Sequence, residues 1–175
     1  QVDFHYYATY CAALIAGYSH EEAQDIGYAA QHVDDFTRNY IRSMGGPEAA
    51  ATTQSQSELM RFPTNASGRH DMTQLWTAFH FLPRDLYAEC PRGRNNIYMH
   101  KYRLICGPNG ELLKDTMKLA KDKDLQSVGV AMHVLADTWA HRYFAGTASL
   151  VINNCDGRIY SRSAAACSLS ACVSF

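Results

Sequence analysis

The chain has 175 residues, of which 47% are hydrophobic and 19% charged, a balance that suits one folded domain and excludes extensive disorder. The 16 basic side chains against 17 acidic ones create no overall field for nucleic acid or an anionic membrane, and no apolar run approaches the ~20 residues of a membrane span. What stands out is eight histidines, several of them inside apolar, helix-like sequence.

The chain starts at Gln1 rather than Met, so an initiator or leader is removed or left out of the numbering. Asp3 and His5 interrupt any signal-peptide pattern. Residues 3–16 are predicted to form a first helix, with Ala8, Thr9, Ala12 and Ala16 on the same face as His5 and Gly17 as its stop. Ser19 and Glu22 form a capping box for a second helix. That helix is expected to run to about Arg42, before Met44-Gly45-Gly46-Pro47. Residues 45–70 are rich in Ala, Thr, Ser, Gln and Gly and read as a loop with one short irregular strand. A third helical stretch is expected over Met72 to Phe81, closed by Pro83. Residues 84–110 read as loop with a short strand at Ile97 to Ile105. A fourth helix is expected near Asn109 to Lys121, and a fifth from Asp124 to Phe144. The prediction is an all-α, multi-helix bundle with long irregular loops. Residues 1–155 form the helical domain. Residues 156–175, with almost no charge after Arg162 and little period, form a weakly structured tail.

The six cysteines, Cys11, Cys90, Cys106, Cys155, Cys167 and Cys172, lack zinc-finger spacing. Their even number permits disulfides, and Cys90 with Cys106 would close a loop. A chain of this size does not need such staples, so reduced thiols in the cytoplasm are expected, with secretion as the alternative. Asn65-Ala66-Ser67 fits the glycosylation pattern that secretion would use.

The fifth helix carries the strongest chemical signal. At about 100° per residue, His133, Asp137 and His141 fall at about 0°, 40° and 80°, within one stripe. Val128, Leu135 and Trp139 cover the opposite side, so the helix reads as apolar almost all round and buried. A buried carboxylate between imidazoles needs a proton partner or a metal, and this donor set suits zinc. A hydrogen-bonded His–Asp network in the core is the structural alternative. On the second helix Asp34 lies at the edge of the inward face, whereas Asp35 points away and His32 is exposed or behind the site. His5 stands above small residues that permit close helix approach. His80, in Phe79-His80-Phe81-Leu82-Pro83, needs a partner in its apolar context. His70-Asp71 resembles the pair of an HD-type phosphohydrolase but follows a loop-like Ser67-Gly68-Arg69. His20 and His100 have no supporting context. There is no GxSxG elbow, Walker loop or GxGxxG.

Four segments carry a resemblance: Asp3-Phe4-His5-Tyr6-Tyr7; Ala29-Ala30-Gln31-His32-Val33-Asp34-Asp35; Phe79-His80-Phe81-Leu82-Pro83; and His133 through His141. Together they resemble an uncharacterised family, domain of unknown function 6765, over about Val2 to Cys155. More distantly the chain resembles the zinc-dependent phospholipase C and single-strand nuclease superfamily. That likeness implies an all-helical fold, one to three zinc ions, and His5, Asp34, His80, His133 and Asp137 as ligands, with Asp137 able to bridge two metals. His141 is a sixth ligand candidate, although it follows Asp137 more closely than the superfamily's spacing. No histidine follows His141, and Gln1 replaces the tryptophan found at many phospholipase N-termini. One metal position is therefore absent, or the chain lacks the C-terminal part of the domain.

The expected function is metal-dependent hydrolysis of a small phosphate ester, with Arg38 or Arg142 steadying the phosphate. Two alternatives remain. One is a non-catalytic helical protein with a structural metal site or polar core network. The other is an assembly protein that makes contacts through its tail and its 11 tyrosines.

Overall fold

A computed structural model describes residues 1–54, 73–86 and 103–146. Its regular elements are all helices, as expected, and no β-strand occurs among the described residues. A π-helical turn over Asp3–Ala8 leads into α1 (Thr9–Ile15). Gly17, at φ +99°, ends this helix in the left-handed conformation that glycine adopts without steric cost. The capping box forms: Ser19 Oγ accepts from the Glu22 N–H and Glu22 Oε2 accepts from the Ser19 N–H. These bonds start α2 (His20–Asp35).

The second helix does not continue to Arg42. Phe36 leaves helical geometry, and Thr37 caps a separate short helix, α3 (Arg38–Ser43), by accepting the Tyr40 N–H at 3.1 Å. The carbonyls freed at this break find other donors. Phe36 O accepts from the N–H groups of Thr52 and Thr53, and Val33 O accepts from Thr52 Oγ1. A threonine that competes with the helix backbone on one side, and another that satisfies the exposed carbonyls on the other, make the interruption stable.

A second π-helical turn, Trp76–His80, ends the third helical stretch, with the Phe81 N–H reaching back to Trp76 O. The expected strand near residue 105 is reduced to isolated bridges, Pro83 with Cys106 and Ile105 with Ala145; residues 97–102 lie outside the described segments. The last two helices are α4 (Glu111–Ala120) and α5 (Leu125–Ala140), the latter capped by Asp124 accepting from the Ser127 N–H.

The fifth helix stops four residues before Phe144. His141 is its C-cap and Tyr143 turns to φ +80°. The backbone there pairs with Cys106 instead, through the Tyr143 N–H on Cys106 O and the Cys106 N–H on Phe144 O. Nor is α5 buried all round. Ala131, His133, Val134, Asp137 and Thr138 are buried, but Trp139 is 52% exposed, because no described element covers that side of its last turn.

Helices α2 and α5 form the main seam. Ile26, Ala30 and Val33 of α2 are buried. Gly129 lets the backbones meet: a Cβ there would lie 2.5 Å from Ile26 O and 2.5 Å from Ala29 Cβ. The π turn at the start of the chain lies beside this seam, with Tyr6 against Gly27. The i→i+5 pattern widens this turn and changes which residues follow His5 inward. Thr9 and Ala13 do so and are buried, while Ala8, Ala12 and Ala16, expected on that face, are exposed.

Candidate metal centre

Each element delivers one or two polar side chains to the seam. The π turns deliver His5 and His80, α2 delivers Asp34, and α5 delivers His133 and Asp137. All five converge. Asp137 lies at the middle: its Oδ2 is 3.1 Å from His80 Nδ1 and 3.2 Å from His133 Nε2, and its Oδ1 is 3.3 Å from His5 Nε2. Asp34 spans the same two positions. Its Oδ1 is 3.8 Å from His80 Nδ1 and 3.9 Å from His133 Nε2, while its Oδ2 is 3.7 Å from His5 Nε2 and 2.7 Å from the Gln1 nitrogen. The His5 and His133 rings stack with centroids 3.9 Å apart.

Backbone carbonyls fix the proton positions of two rings. His133 Nδ1 is 2.8 Å from Ala30 O, and His80 Nε2 is 3.2 Å from Thr52 O. A carbonyl oxygen only accepts, so in the tautomers that make these bonds each of those nitrogens carries the proton; in the other tautomers the rings donate to the Asp137 carboxylate instead. In the carbonyl-bonded tautomers the opposite nitrogens, His133 Nε2 and His80 Nδ1, are lone-pair atoms, and they face each other at 3.3 Å. With Asp137 Oδ2 they make a triangle of three acceptors and no donor. Such a triangle is repulsive unless a cation lies against it. Ligand atoms about 2.0–2.1 Å from a tetrahedral zinc ion are about 3.3 Å apart, close to the 3.1, 3.2 and 3.3 Å edges here. The donor atoms of His5, His133 and Asp137, and those of Asp34, His80 and His133, lie within 4.8 Å of one another. These residues could hold a metal ion.

Without a cation, hydrogen bonds donated by the rings compensate the carboxylate instead. Burial opposes charge on Asp137, but contacts from His133, His5 and His80 hold its carboxyl far below the ordinary carboxylate range. Burial likewise opposes charge on Asp34, and the Gln1 nitrogen and His133 outweigh it and lower that carboxyl. Burial pushes the His133 ring below its ordinary value, more than the adjacent Asp137 raises it. The centre thus combines ionised carboxylates with a neutral imidazole, the protonation states that metal ligation requires.

His141 stands at the edge. Its Nδ1 is 3.6 Å from Asp137 Oδ2 but 2.7 Å from the His80 carbonyl, and its ring stacks on Phe81. Asp35 is exposed, as its helix position predicts. His32 donates Nδ1–H to Tyr28 O, away from the cluster, and exposed His20 pairs with Tyr10 Oη. Arg142 lies over the Tyr143 ring and donates to its hydroxyl; Arg38 opens α3. His70, Asp71, His100 and the sequon at Asn65 lie outside the described residues, as do four of the cysteines. Cys11 and Cys106 are free thiols.

Sequence reasoning missed the supports. The carbonyls of Ala30 and Thr52 carry no signal in residue type. Cys106, whose Sγ lies 3.9 Å from Asp137 O, showed no local motif. A cavity of about 290 Å³ lies against Tyr28, His32 and Phe36 of α2 and the adjoining turn, and Thr52, the acceptor for His80, also lines it. None of the five cluster residues does.

No helix among the described residues is long and apolar enough to cross a membrane. No curated protein matches the chain, and no solved structure does, so the likeness to zinc-dependent phospholipase C finds no support there. A family model does match, over residues 1–172, which takes in most of the stretch read as a tail, and the chain belongs to the family of unknown function DUF6765.

Proposed function

We propose that the protein binds transition-metal ions, zinc foremost, and uses them to hydrolyse a small phosphate ester. The observation that carries the metal reading is the acceptor triangle of His80 Nδ1, His133 Nε2 and Asp137 Oδ2, with the far nitrogen of each ring fixed on a backbone carbonyl. Asp34 would be a further ligand there, and His5 with the two carboxylates would help to hold a second ion.

Two features support hydrolysis over a closed structural site. Asp34 is 30% exposed, while His133 is fully buried, so the cluster has one side open to solvent, as a catalytic site requires. Two carboxylates set among three imidazoles also suit a paired-ion centre. When bound, such ions lower the pKa of water and polarise a phosphoryl oxygen. The chain's own part is to keep the His133 imidazole neutral, hold the carboxylates ionised and leave the Asp34 side open to solvent.

Metal analysis of the purified chain tests the first step, and hydrolysis of phosphomonoester and phosphodiester chromogens by the zinc-loaded protein tests the second. One or two zinc ions per chain and chelator-sensitive turnover are expected. Less than one ion per chain at saturating zinc overturns the metal reading. Full loading with no turnover of either ester class leaves a structural metal site in its place.

A further inference from the structure

We infer that His141 is a positioning residue for His80 rather than a sixth ligand. The inference builds on the metal reading, but its geometry stands separately. The nitrogen that His141 turns toward the cluster is Nδ1, 3.6 Å from Asp137 Oδ2. That same atom lies 2.7 Å from the backbone oxygen of His80. The carbonyl can only accept, so Nδ1 carries a proton and has no lone pair to offer a metal.

The ring is fixed in this role from two sides. It stacks on Phe81 with centroids 4.5 Å apart and planes 21° from parallel. Its own backbone N–H closes the last turn of α5 on Asp137 O at 2.8 Å. His141 therefore joins the backbone of one ligand, Asp137, to the backbone of another, His80, at the point where the chain leaves its π turn. The side chain of His80 is held at its other end by Thr52 O. With both attachments His80 has one direction; with the Thr52 contact alone the backbone beneath it is free to shift. Groups that orient ligands in this way typically change metal affinity by about 10–100-fold when removed.

Two substitutions in the full chain separate positioning from ligation. His141→Phe keeps a ring against Phe81 and loses the donor, whereas His141→Gln keeps an N–H that can reach the His80 carbonyl. Zinc affinity is read by competition with a chromophoric chelator, and ligand number by the visible spectrum of the cobalt-substituted protein. His141→Phe is expected to weaken zinc binding about 10–100-fold with an unchanged cobalt spectrum at saturation, and His141→Gln to recover most of the loss. A changed cobalt spectrum in both variants, or wild-type affinity in His141→Phe, overturns the assignment.

A metal-free measurement keeps this distinct from the metal reading itself. In chelator, NMR of the His80 ring should show one environment in the wild type and broadened or doubled signals in His141→Phe. Equally sharp, single signals in that variant overturn the positioning role whether or not metal binds. A wild type that takes up no zinc, with the His80 signals still disturbed in His141→Phe, sinks the metal reading and leaves the positioning role standing.

Discussion

The two halves of the cluster are held in different ways. His80, His133 and Asp137 are buried, and each imidazole is fastened through its far nitrogen to a backbone carbonyl. His5 and Asp34 form the looser half. His5 Nδ1 is buried with no hydrogen-bond partner among the described residues, and Asp34 is 30% exposed. Ala30 O does not move without α2, and Thr52 is tied to the end of α2 through Val33 O and Phe36 O, so the first half is preorganised by the α2–α5 seam. The second half depends on how one π turn settles over it. On the metal reading, the fastened half sets affinity, and the loose half sets exchange and access.

The largest expected effect comes from the residue both halves share. Asp137→Asn should abolish tight zinc binding at both positions. Each ion present at about 100 times its Kd stabilises by about 2.7 kcal/mol, so the Tm of the zinc-loaded protein should fall by roughly 5–10 °C for each ion lost in a chain of this size. His5→Ala should instead remove one ion and leave the other within about threefold of its original affinity, as weak coupling between the halves implies. Calorimetric titration with zinc measures both. Equal losses from His5→Ala and His133→Ala would break the distinction between the halves.

Next in size is the seam itself. Gly129→Ala places a methyl group 2.5 Å from Ile26 O and 2.5 Å from Ala29 Cβ, both backbone-fixed. Overpacking of this kind costs about 1–3 kcal/mol, to be read as a lower denaturant midpoint in the metal-free protein. Because Ala30 O anchors His133 from the same stretch of α2, zinc affinity should fall with stability. A Gly129→Ala protein that is destabilised but binds zinc normally would show that the fastened half is not set by helix spacing.

These contrasts bear on what the sequence could reveal. The i, i+4, i+8 series on one helix made His133, Asp137 and His141 visible together, and the inward edge of α2 identified Asp34. Side-chain periodicity is sufficient there because the α-helix fixes direction. It failed where the helix was not α. His5 and His80 both occupy π turns, where a 100° wheel assigns the wrong neighbours, so the exposed Ala8, Ala12 and Ala16 were placed inward. His141 reads as a ligand candidate because its angle on the wheel is right; the helix ends at that residue, and its Nδ1 lies 2.7 Å from a carbonyl 61 residues away in sequence. The break at Phe36 was hidden because its stability comes from Thr52 and Thr53, far along the chain.

A smaller effect is expected from acid in the metal-free protein. The ordinary value for histidine is 6.5. Below it the unfolded chain protonates His133 while the buried ring resists, so the unfolded state holds more protons and stability falls as pH falls. Asp137 adds a second loss at lower pH. Its stabilisation is complete above the ordinary 3.8 and is lost as pH drops toward its depressed folded value. Thermal melts in chelator from pH 7.5 to 4 should therefore show Tm falling first below about 6.5, and His133→Gln should remove that first step. A Tm that rises on acidification would mean that the fastened half is protonated and accessible.

The smallest effect is expected at Cys106, behind the fastened half. Burial, with the negative charge of Asp137 as the smaller cause, pushes its thiol up to about 12. At pH 8 a thiol of that pKa is ionised in about one molecule in 10,000, and alkylation proceeds through the thiolate. Cys11 is exposed. Iodoacetamide at pH 8 with peptide mapping should therefore label Cys11 rapidly and Cys106 only as the protein opens. Zinc at Asp137 would cancel part of the nearby charge and so lower the thiol's pKa. It would also suppress opening, and burial is the larger cause of the shift, so zinc should change Cys106 labelling little or slow it. Faster labelling of Cys106 on adding zinc would mean that charge outweighs burial there, and that the half built on Asp137 is wetter than the half built on His5.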